Sequence, residues 1–394
     1  MNLDRPRKFS FPWRVGNRFT LLVDGERFFP RMLSAIDAAR SHVLLEIYLF
    51  ESGVVADRFI AALTRAAGRG VAVKLLLDAY GAHGLYSPDR ARLVAGGVDV
   101  RYYNPLQMRQ WLGNMFRDHR KLLVVDGEIA YTSGAGITDQ FHPAHDAARA
   151  WRETAVEAGG PVVADWQALF VRNWEQHTGE ALVLPPATSE PVSSGVPGRV
   201  VISSALVNQD IKRSLYTRVR RARRRVWIET AYFVPSRRVL RALQHAAARG
   251  VDVRLLLPGP YTDHPAVRHA GRRFYGRLLK RGVRIFEYQP RFLHAKTVLA
   301  DDWVSIGSSN LDRWNLRWNL EANQEIHSEP FAAEVADMVE NDFSESKELH
   351  YQLWRQRPLR ERLRERWWGR VDAWLESIGR RRGVRRRMAR RSVP

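Results

Sequence analysis

Ala66-Ala-Gly-Arg69-Gly70-Val-Ala-Val-Lys-Leu-Leu-Leu77 returns as Ala246-Ala-Ala-Arg249-Gly250-Val-Asp-Val-Arg-Leu-Leu-Leu257. In each copy a helical stretch stops at a glycine, the residue that tolerates the left-handed backbone of a helix C-terminus, and an apolar run of strand length follows. Upstream, Val43-Leu-Leu-Glu46-Ile-Tyr-Leu-Phe50 resembles Val226-Trp-Ile-Glu229-Thr-Ala-Tyr-Phe233. Downstream, Gly97-Val-Asp-Val-Arg-Tyr-Tyr-Asn-Pro105 resembles Gly282-Val-Arg-Ile-Phe-Glu-Tyr-Gln-Pro290, and His119-Arg-Lys121 resembles His294-Ala-Lys296. The order of the pieces is the same in both copies, so the chain is an internal duplication.

The unit is about 150 residues, well beyond the roughly 20–50 residues of solenoid repeats. Helices alternating with strands imply a largely parallel or mixed sheet covered by helices. The expectation is an α/β fold of two tandem repeats, each a mixed sheet flanked by helices. A pseudo-twofold would relate them, with the active site in the cleft between. Residues 1–183 form the first half and 199–348 the second. The Pro/Ser/Gly-rich stretch 184–198 reads as a linker or surface crossing. Residues 349–394 read as a basic Arg/Trp-rich tail.

Composition narrows the function classes. The 394 residues, 45% hydrophobic and 27% charged, match ordinary globular usage and exclude wholesale disorder. There is no Cys, which excludes a disulfide scaffold, a Cys-ligated zinc and a thiol nucleophile. The net charge of +21 calls for a polyanionic partner, either nucleic acid or an anionic membrane surface. About half of that charge lies in 355–394, where 15 Arg face Glu361, Glu365, Asp372 and Glu376. Trp354, Trp367, Trp368 and Trp374 are interleaved or adjacent. Such a segment suits a helix in the headgroup region of a membrane. It also suits a nucleic-acid tail or a solvated basic helix with its Trp packed on the body. The preference of Trp for interfaces places the membrane surface first. No run approaches the roughly 18 apolar residues of a membrane span. Residues 1–14 lack the apolar stretch of a signal peptide. A peripheral protein on the cytoplasmic face of the membrane is expected.

The chemistry sits on the repeated His and Lys. His119-Arg-Lys121-Leu-Leu-Val-Val-Asp126 and His294-Ala-Lys296-Thr-Val-Leu-Ala-Asp301 both read H-x-K-x4-D. With 12 His, seven Lys and 21 Asp, random placement gives roughly 0.01 such matches in the chain, so two at matching repeat positions mark a site. Residues i and i+2 of a strand share a face, so each His and its Lys point toward one cleft. Two imidazoles and two ammonium groups suit phosphoryl transfer without a metal. Lys holds non-bridging phosphate oxygens. One neutral imidazole attacks phosphorus. The other, protonated, donates to the leaving oxygen and later deprotonates the acceptor. No metal and no cofactor are expected.

The two elements resemble the paired HKD motifs of the phospholipase D superfamily. Small-residue segments follow them, as in that family: Ser133-Gly134-Ala135-Gly136 and Gly307-Ser308-Ser309-Asn310. The second matches the family's Gly-Ser-x-Asn, with its glycine one residue early after Asp301. In the first, Ser133 and Gly134 stand where Gly and Ser or Gly are usual, and Gly136 stands for Asn. The resemblance thus implies an asymmetric phosphate cradle with Ser133, Ser308 and a single amide, Asn310. Further pieces are similar to the bacterial cardiolipin synthase branch: Phe29-Pro30-Arg31-Met32-Leu33, Glu229-Thr-Ala-Tyr-Phe-Val-Pro235, Asp263-His264-Pro265, Gly307-Ser-Ser-Asn-Leu-Asp312 and Asn319-Leu320-Glu321-Ala322-Asn323. The likeness covers roughly 18–345. Without the membrane-spanning N-terminus of the A-type enzymes, the chain looks more like the shorter B-type synthases.

The resemblance also implies roles. Glu321, and Glu153 in Trp151-Arg-Glu-Thr154, stand where the family places an acidic residue on a catalytic imidazole. A solvated strand-end charge is the alternative for each. Asp126 and Asp301 join the catalytic motifs, and are expected to organise the turns after the strands rather than touch substrate. Glu46 and Glu229, matched in apolar strands, call for a buried partner such as Arg. Asp263 and His264 either line the cleft or belong to a polar loop. The implied activity is a cardiolipin synthase, a phosphatidyltransferase. One phosphatidylglycerol gives its phosphatidyl group to His119 and releases glycerol; a second attacks, with His294 as general acid and base. Two alternatives stand beside it. One is a hydrolase of phospholipid or nucleic-acid phosphodiesters, the other a non-catalytic membrane-binding protein of this fold. The expected partners are an anionic phospholipid surface and phosphatidylglycerol as donor and acceptor, with no obligatory nucleic acid.

Overall fold

The computed structural model describes residues 9–106, 113–142, 149–204, 208–312, 318–363, 365 and 367–368. The first half supplies β1 (Arg14–Val23), β2 (His42–Ile47), β3 (Ala72–Asp78), β4 (Asp99–Tyr103), β5 (Lys121–Val125), β6 (Ile129–Ser133) and β7 (Thr154–Gly159). The second supplies β8 (Val196–Ser204), β9 (Asn208–Gln209), β10 (Arg225–Thr230), β11 (Phe233–Val234), β12 (Asp252–Pro258), β13 (Arg284–Tyr288), β14 (Lys296–Ala300), β15 (Trp303–Gly307), β16 (Leu311–Asp312), β17 (Leu320–His327) and β18 (Ser346–Leu349).

The strand order is β18-β13-β12-β10-β14-β15-β17-β8-β1-β7-β6-β5-β2-β3-β4, with β9 pairing β8 and a separate β11-β16 ribbon. Read outward from the β8–β1 seam, the two sides carry the same sequence of seven strands, with β18 added at the outer edge of the second half. In each half the triplet β2-β3-β4 or β10-β12-β13 is parallel and the rest antiparallel, so both sheets are mixed. The seam pairs Arg14 with Gly198 and Asn17 with Val196 across an irregularity, where Gly16 takes a positive φ of 80°. Val196 lies in the stretch read as linker; only the part before it is free of strand.

The apolar runs are strands because both of their faces are covered. Leu44 and Leu45, on opposite faces of β2, are both fully buried. Helices Gly25–Ala38 and Val54–Gly68 bring Phe28 and Phe59 to one face, and helix Val162–Thr178 brings Trp166 and Trp174 to the other. The second half repeats this with helices Asp210–Arg221 and Arg237–Ala248 on one side and Glu329–Ser344 on the other. Burying each such large side chain contributes about 1.5–3 kcal/mol. The glycines that stop the second helix of each half, Gly70 and Gly250, have φ of 88° and 87°. Val71 and Val251 then donate back to Ala66 and Ala246, which closes the helix ends as the repeated sequence predicts. Between the halves, Val156 of β7 packs with Leu299, Val304 and Ile326.

The segment read as a tail begins on the body. β18 pairs with β13, Trp354 is buried against Tyr275 at 5.2 Å, and Glu365 accepts from Arg272 and Arg357. Trp374 and all of the arginines beyond it fall outside the described residues.

Candidate active site

Lys121 opens β5 opposite Ile47, and Lys296 opens β14 opposite Thr230. Both motifs therefore lie at the C-terminal ends of the parallel strands, where open α/β sheets place their ligand sites. Two short backbone bridges then lock the halves together. His119 donates its N–H to the Leu320 carbonyl at 3.0 Å, and Leu320 donates to Arg117 at 2.9 Å. Reciprocally, His294 donates to the Arg152 carbonyl at 2.8 Å, and Arg152 donates to Phe292 at 2.9 Å. Each histidine is thus held beside the residue that precedes the other half's glutamate.

The result is an exchange of carboxylates. His119 Nδ1 lies 3.1 Å from Glu321, and His294 Nδ1 lies 2.6 Å from Glu153. Both glutamates are fully buried, and the imidazole side chains are only 13% and 10% exposed. A carboxylate on Nδ1 favours the proton there and leaves the Nε2 lone pair for chemistry; at His294 the Lys296 Nζ also lies 2.8 Å from Nδ1. Lys121 Nζ donates to the His119 carbonyl at 2.7 Å. Lys296 Nζ donates to the His294 carbonyl and lies 3.5 Å from Glu153. Burial, and then Lys121, push His119 below the usual imidazole range while Glu321 opposes them. Burial and Lys296 push His294 well below it. Burial lowers Lys121 to about 7 and also lowers Lys296. It raises the Glu153 carboxyl against the pull of Lys296. Both shifts favour the neutral form of the rings.

The remaining expected residues divide. Asp126 accepts from the backbone N–H groups of Arg40, Ser41 and His42, each at 2.8 Å. Asp301 accepts from Arg223, Arg224 and Arg225 at 2.9 to 3.1 Å. Each sits at the far end of its strand from the His, in a left-handed turn with φ of 54° or 53°. Their carboxylates tie a hairpin turn to the start of β2 or β10 and stand apart from the His and Lys of their motifs. Ser133 Oγ accepts from the Ala135 amide at 3.0 Å and serves its own turn. Ser308 is fully buried and donates to Glu321 while accepting from the Ala322 amide at 3.1 Å, so it orients the carboxylate. Asn310 is buried with its Nδ2 unpartnered among the described residues. The register explains the glycine that comes one residue early. Val125 pairs with Ile129 but Ala300 pairs with Trp303, so the second hairpin turn is one residue shorter. Ser133 then matches Gly307, and Gly134 matches Ser308, since they face Ala155 and Asn323 at equivalent positions.

The profile of the family described as "Cardiolipin synthase, PLD-like domain" matches residues 32–174 and 215–345. The chain belongs to this phospholipase D-like family. It is 35% identical over 351 residues to "Cardiolipin synthase A" of Pseudomonas entomophila strain L48, covering 87% of this chain and 72% of that protein. It is 37% identical over 343 residues to "Cardiolipin synthase A" of Pseudomonas aeruginosa strain PAO1, covering 86% and 69%. These relatives carry the A designation. The expected B-type placement finds no support in them. Among solved structures, a phosphatidylserine synthase of Haemophilus influenzae Rd KW20 superposes with a TM-score of 0.70 at 15% identity, over 91% of this chain and 94% of that one. A polyphosphate kinase of Porphyromonas gingivalis gives 0.53 at 14%, over 82% and 50%. At such identities the likeness is one of fold.

In this member of the cardiolipin synthase family, several site residues escape motif reading. The Tyr48 ring lies 4.7 Å from His119 and 5.0 Å from Lys121 Nζ. Its position two residues after Glu46, at the end of β2, was the available signal. Trp151, Phe141 and Phe292 surround His294 at 5.1 to 5.6 Å, and no spacing rule joins them. Asp263 takes the Tyr232 hydroxyl and favours protonation of His294, which puts it beside the cleft. Glu46 has its arginine: Arg120 Nε lies 2.9 Å away and 3.1 Å from Asp118. Glu229 faces Arg152, which is itself held by Asp342 at 2.7 Å. Burial raises both carboxyls well above the usual range.

Proposed function

We infer that the chain is a cardiolipin synthase that joins two phosphatidylglycerols and releases glycerol through a phosphohistidine. The exchanged His–Glu pairs carry this reading: one imidazole from each half enters a single buried cleft, each with its Nε2 free and a lysine alongside. In the first step the Nε2 lone pair of His119 forms a bond to phosphorus and the P–O bond to glycerol breaks. His294, as imidazolium, gives its proton to the departing oxygen. In the second step neutral His294 takes the proton of the second lipid's terminal hydroxyl. That oxygen bonds phosphorus, the P–N bond breaks, and cardiolipin leaves. Lys121, Lys296 and the Asn310 amide hold the non-bridging oxygens as charge builds on them. The shorter carboxylate contact supports His294 as the ring that carries the proton. The entering phosphodiester anion favours that proton against burial, and the titration belongs to the pair.

The test is incubation with phosphatidylglycerol vesicles in EDTA and product analysis by mass spectrometry. Cardiolipin and glycerol are expected in equal amounts, and EDTA should leave the rate unchanged. His119→Ala and His294→Ala should each lower the rate by about 10³-fold or more, because each removes a bond-making or proton-moving group. Phosphatidic acid as sole product would make the chain a hydrolase. Phosphohistidine trapped on His294→Ala but absent from His119→Ala would fit the assignment of the nucleophile; the converse would reverse it.

A further inference from the structure

Six of the thirteen large apolar side chains that are exposed among the described residues share one end of the molecule. Val54, Tyr80, Tyr86, Leu106, Met115 and Tyr261 are between 38% and 67% exposed. All six stand on the segments that follow β2, β3, β4 and β12 at their C-terminal ends. Those are the ends from which His119, Lys121, His294 and Lys296 enter the cleft. The opposite strand ends are turns built on the polar Arg40, Asp126, Arg223, Arg224, Arg281 and Asp301, with Val94 as an exposed apolar side chain before β4. Three of the six rim residues are tyrosines, whose apolar ring and polar tip suit a boundary between hydrocarbon and water. Being spread around an opening, they do not form the single well-packed patch of a protein interface.

We propose that the rim of the cleft rests in an anionic phospholipid bilayer, with these side chains reaching the level of the acyl boundary and the cleft opening onto the headgroups. The proposal rests on the reading of the chain as an enzyme of bilayer lipids and adds its orientation. The net charge of +21 supplies attraction to anionic lipid, and the rim supplies the apolar contact that selects which end faces the membrane. With both imidazoles nearly buried, a lipid phosphate reaches them by a short rise out of the surface while its acyl chains stay in hydrocarbon.

The absence of Cys permits a direct test on the full chain. Single variants Tyr80→Cys, Tyr261→Cys, Arg40→Cys, Arg281→Cys and Leu363→Cys are labelled with an environment-sensitive fluorophore. Each is titrated with vesicles of phosphatidylglycerol and phosphatidylcholine. Emission at positions 80 and 261 should rise about twofold or more with a blue shift, with no change at 40 and 281, as an apolar contact on one end requires. Leu363 belongs to a second exposed apolar run, with Leu359 and Trp367; a response confined to position 363 overturns the proposal. So does an equal response at all five. In a second readout, combined Tyr80→Ser, Leu106→Ser and Tyr261→Ser should weaken vesicle co-sedimentation by about tenfold or more, as lost apolar burial at an interface implies, with thermal unfolding unchanged. Binding like the parent overturns the proposal. Neither readout needs cardiolipin to form, so failure of the activity reading and failure of the rim are separate results.

Discussion

Glu153 reaches His294 at 2.6 Å and has Lys296 at 3.5 Å and the Thr154 amide at 2.9 Å. Glu321 reaches His119 at 3.1 Å and takes the Ser308 hydroxyl instead. The backbone bridges that deliver the two histidines are nearly superposable in pattern, so the difference arises after the main chain is set. It traces to one pair of matched positions. Ser308 puts a hydroxyl against its carboxylate, whereas at Gly134 even a Cβ would come within 2.4 Å of Glu153 and 2.6 Å of the Lys296 stem. One carboxylate is oriented by a neutral donor and the other by a cation. A duplicated fold has thereby made two unequal imidazoles, which a reaction with one nucleophile and one acid requires.

The largest expected effect that separates the halves comes from the carboxylates. Glu153→Gln keeps the shape but offers no negative charge to His294 or Lys296. It should lower turnover by about 10³- to 10⁴-fold, up to the loss found when a carboxylate on a catalytic imidazole is made an amide. Glu321→Gln retains the Ser308 contact and lies farther from its ring, so a loss nearer 10²-fold or less is expected from one weaker charge-assisted bond. Equal losses in steady-state turnover would remove the inequality and with it the division of roles.

Gly134→Ala is next. The added methyl must displace the Glu153 carboxylate, Lys296 or its own backbone, and displacements near 1 Å at reacting groups cost about 10²-fold in rate. The expected signature is a fall in kcat with vesicle binding intact. A nearly unchanged kcat would mean that the close approach is relieved without moving the pair.

How much of this was legible beforehand differs between the two levels. The duplicated glycine-stopped helices and apolar runs determined the α/β repeats, because a 3.6-residue pattern ending at a positive-φ glycine and a doubly buried strand each leave a local trace. The His-x-Lys motifs were equally visible, since i and i+2 on one strand share a face. The pairing of His119 with Glu321 and His294 with Glu153 left no such trace. It depends on Arg117–His119 meeting Leu320 and on Phe292–His294 meeting Arg152 across more than a hundred residues. Position relative to a motif suggested that Glu153 and Glu321 matter, and only the cross-half bridges say to which ring. Asp126 and Asp301 teach the converse: a residue in register with a motif can serve its turn. The partner of Glu229 was invisible for another reason. Arg120 stands inside the first motif, but its repeat equivalent is Ala295, and the cation that acts on Glu229 is Arg152, from a different strand end and itself paired with Asp342.

The lysines give a pH-dependent comparison. Burial brings Lys121 to about 7, so its ammonium is lost as pH rises through that value. The basic limb of kcat/KM, which reports the free enzyme, should then fall near pH 7, while that of kcat lies higher because bound phosphate favours the ammonium. In Lys121→Arg the cation persists at every accessible pH. Its kcat/KM should be lower by about tenfold at pH 6, since a planar fork fits this position poorly, and its basic limb should move up by more than one unit. A limb still near pH 7 in this variant would assign that titration to the imidazole pair.

The smallest effect isolates the hydroxyl that distinguishes the halves. Ser308→Ala removes one donor to Glu321 and leaves the His119 contact in place. The site is fully buried, so no water replaces the donor without space being made. The lost bond is worth about 1–2 kcal/mol in this setting, a fall of roughly fivefold to thirtyfold in kcat. The carboxylate, relieved of a competing donor, should hold the His119 proton more strongly, so the acid limb of the pH–rate profile should shift upward. Combining Ser308→Ala with Glu321→Gln should cost kcat little more than Glu321→Gln alone, because the hydroxyl's other contacts are to the Ala322 backbone and its link to the imidazole runs through that carboxylate. Fully additive losses would mean that Ser308 contacts the substrate phosphate as well, and the two halves would then differ in how they bind phosphate as much as in how they hold their imidazoles.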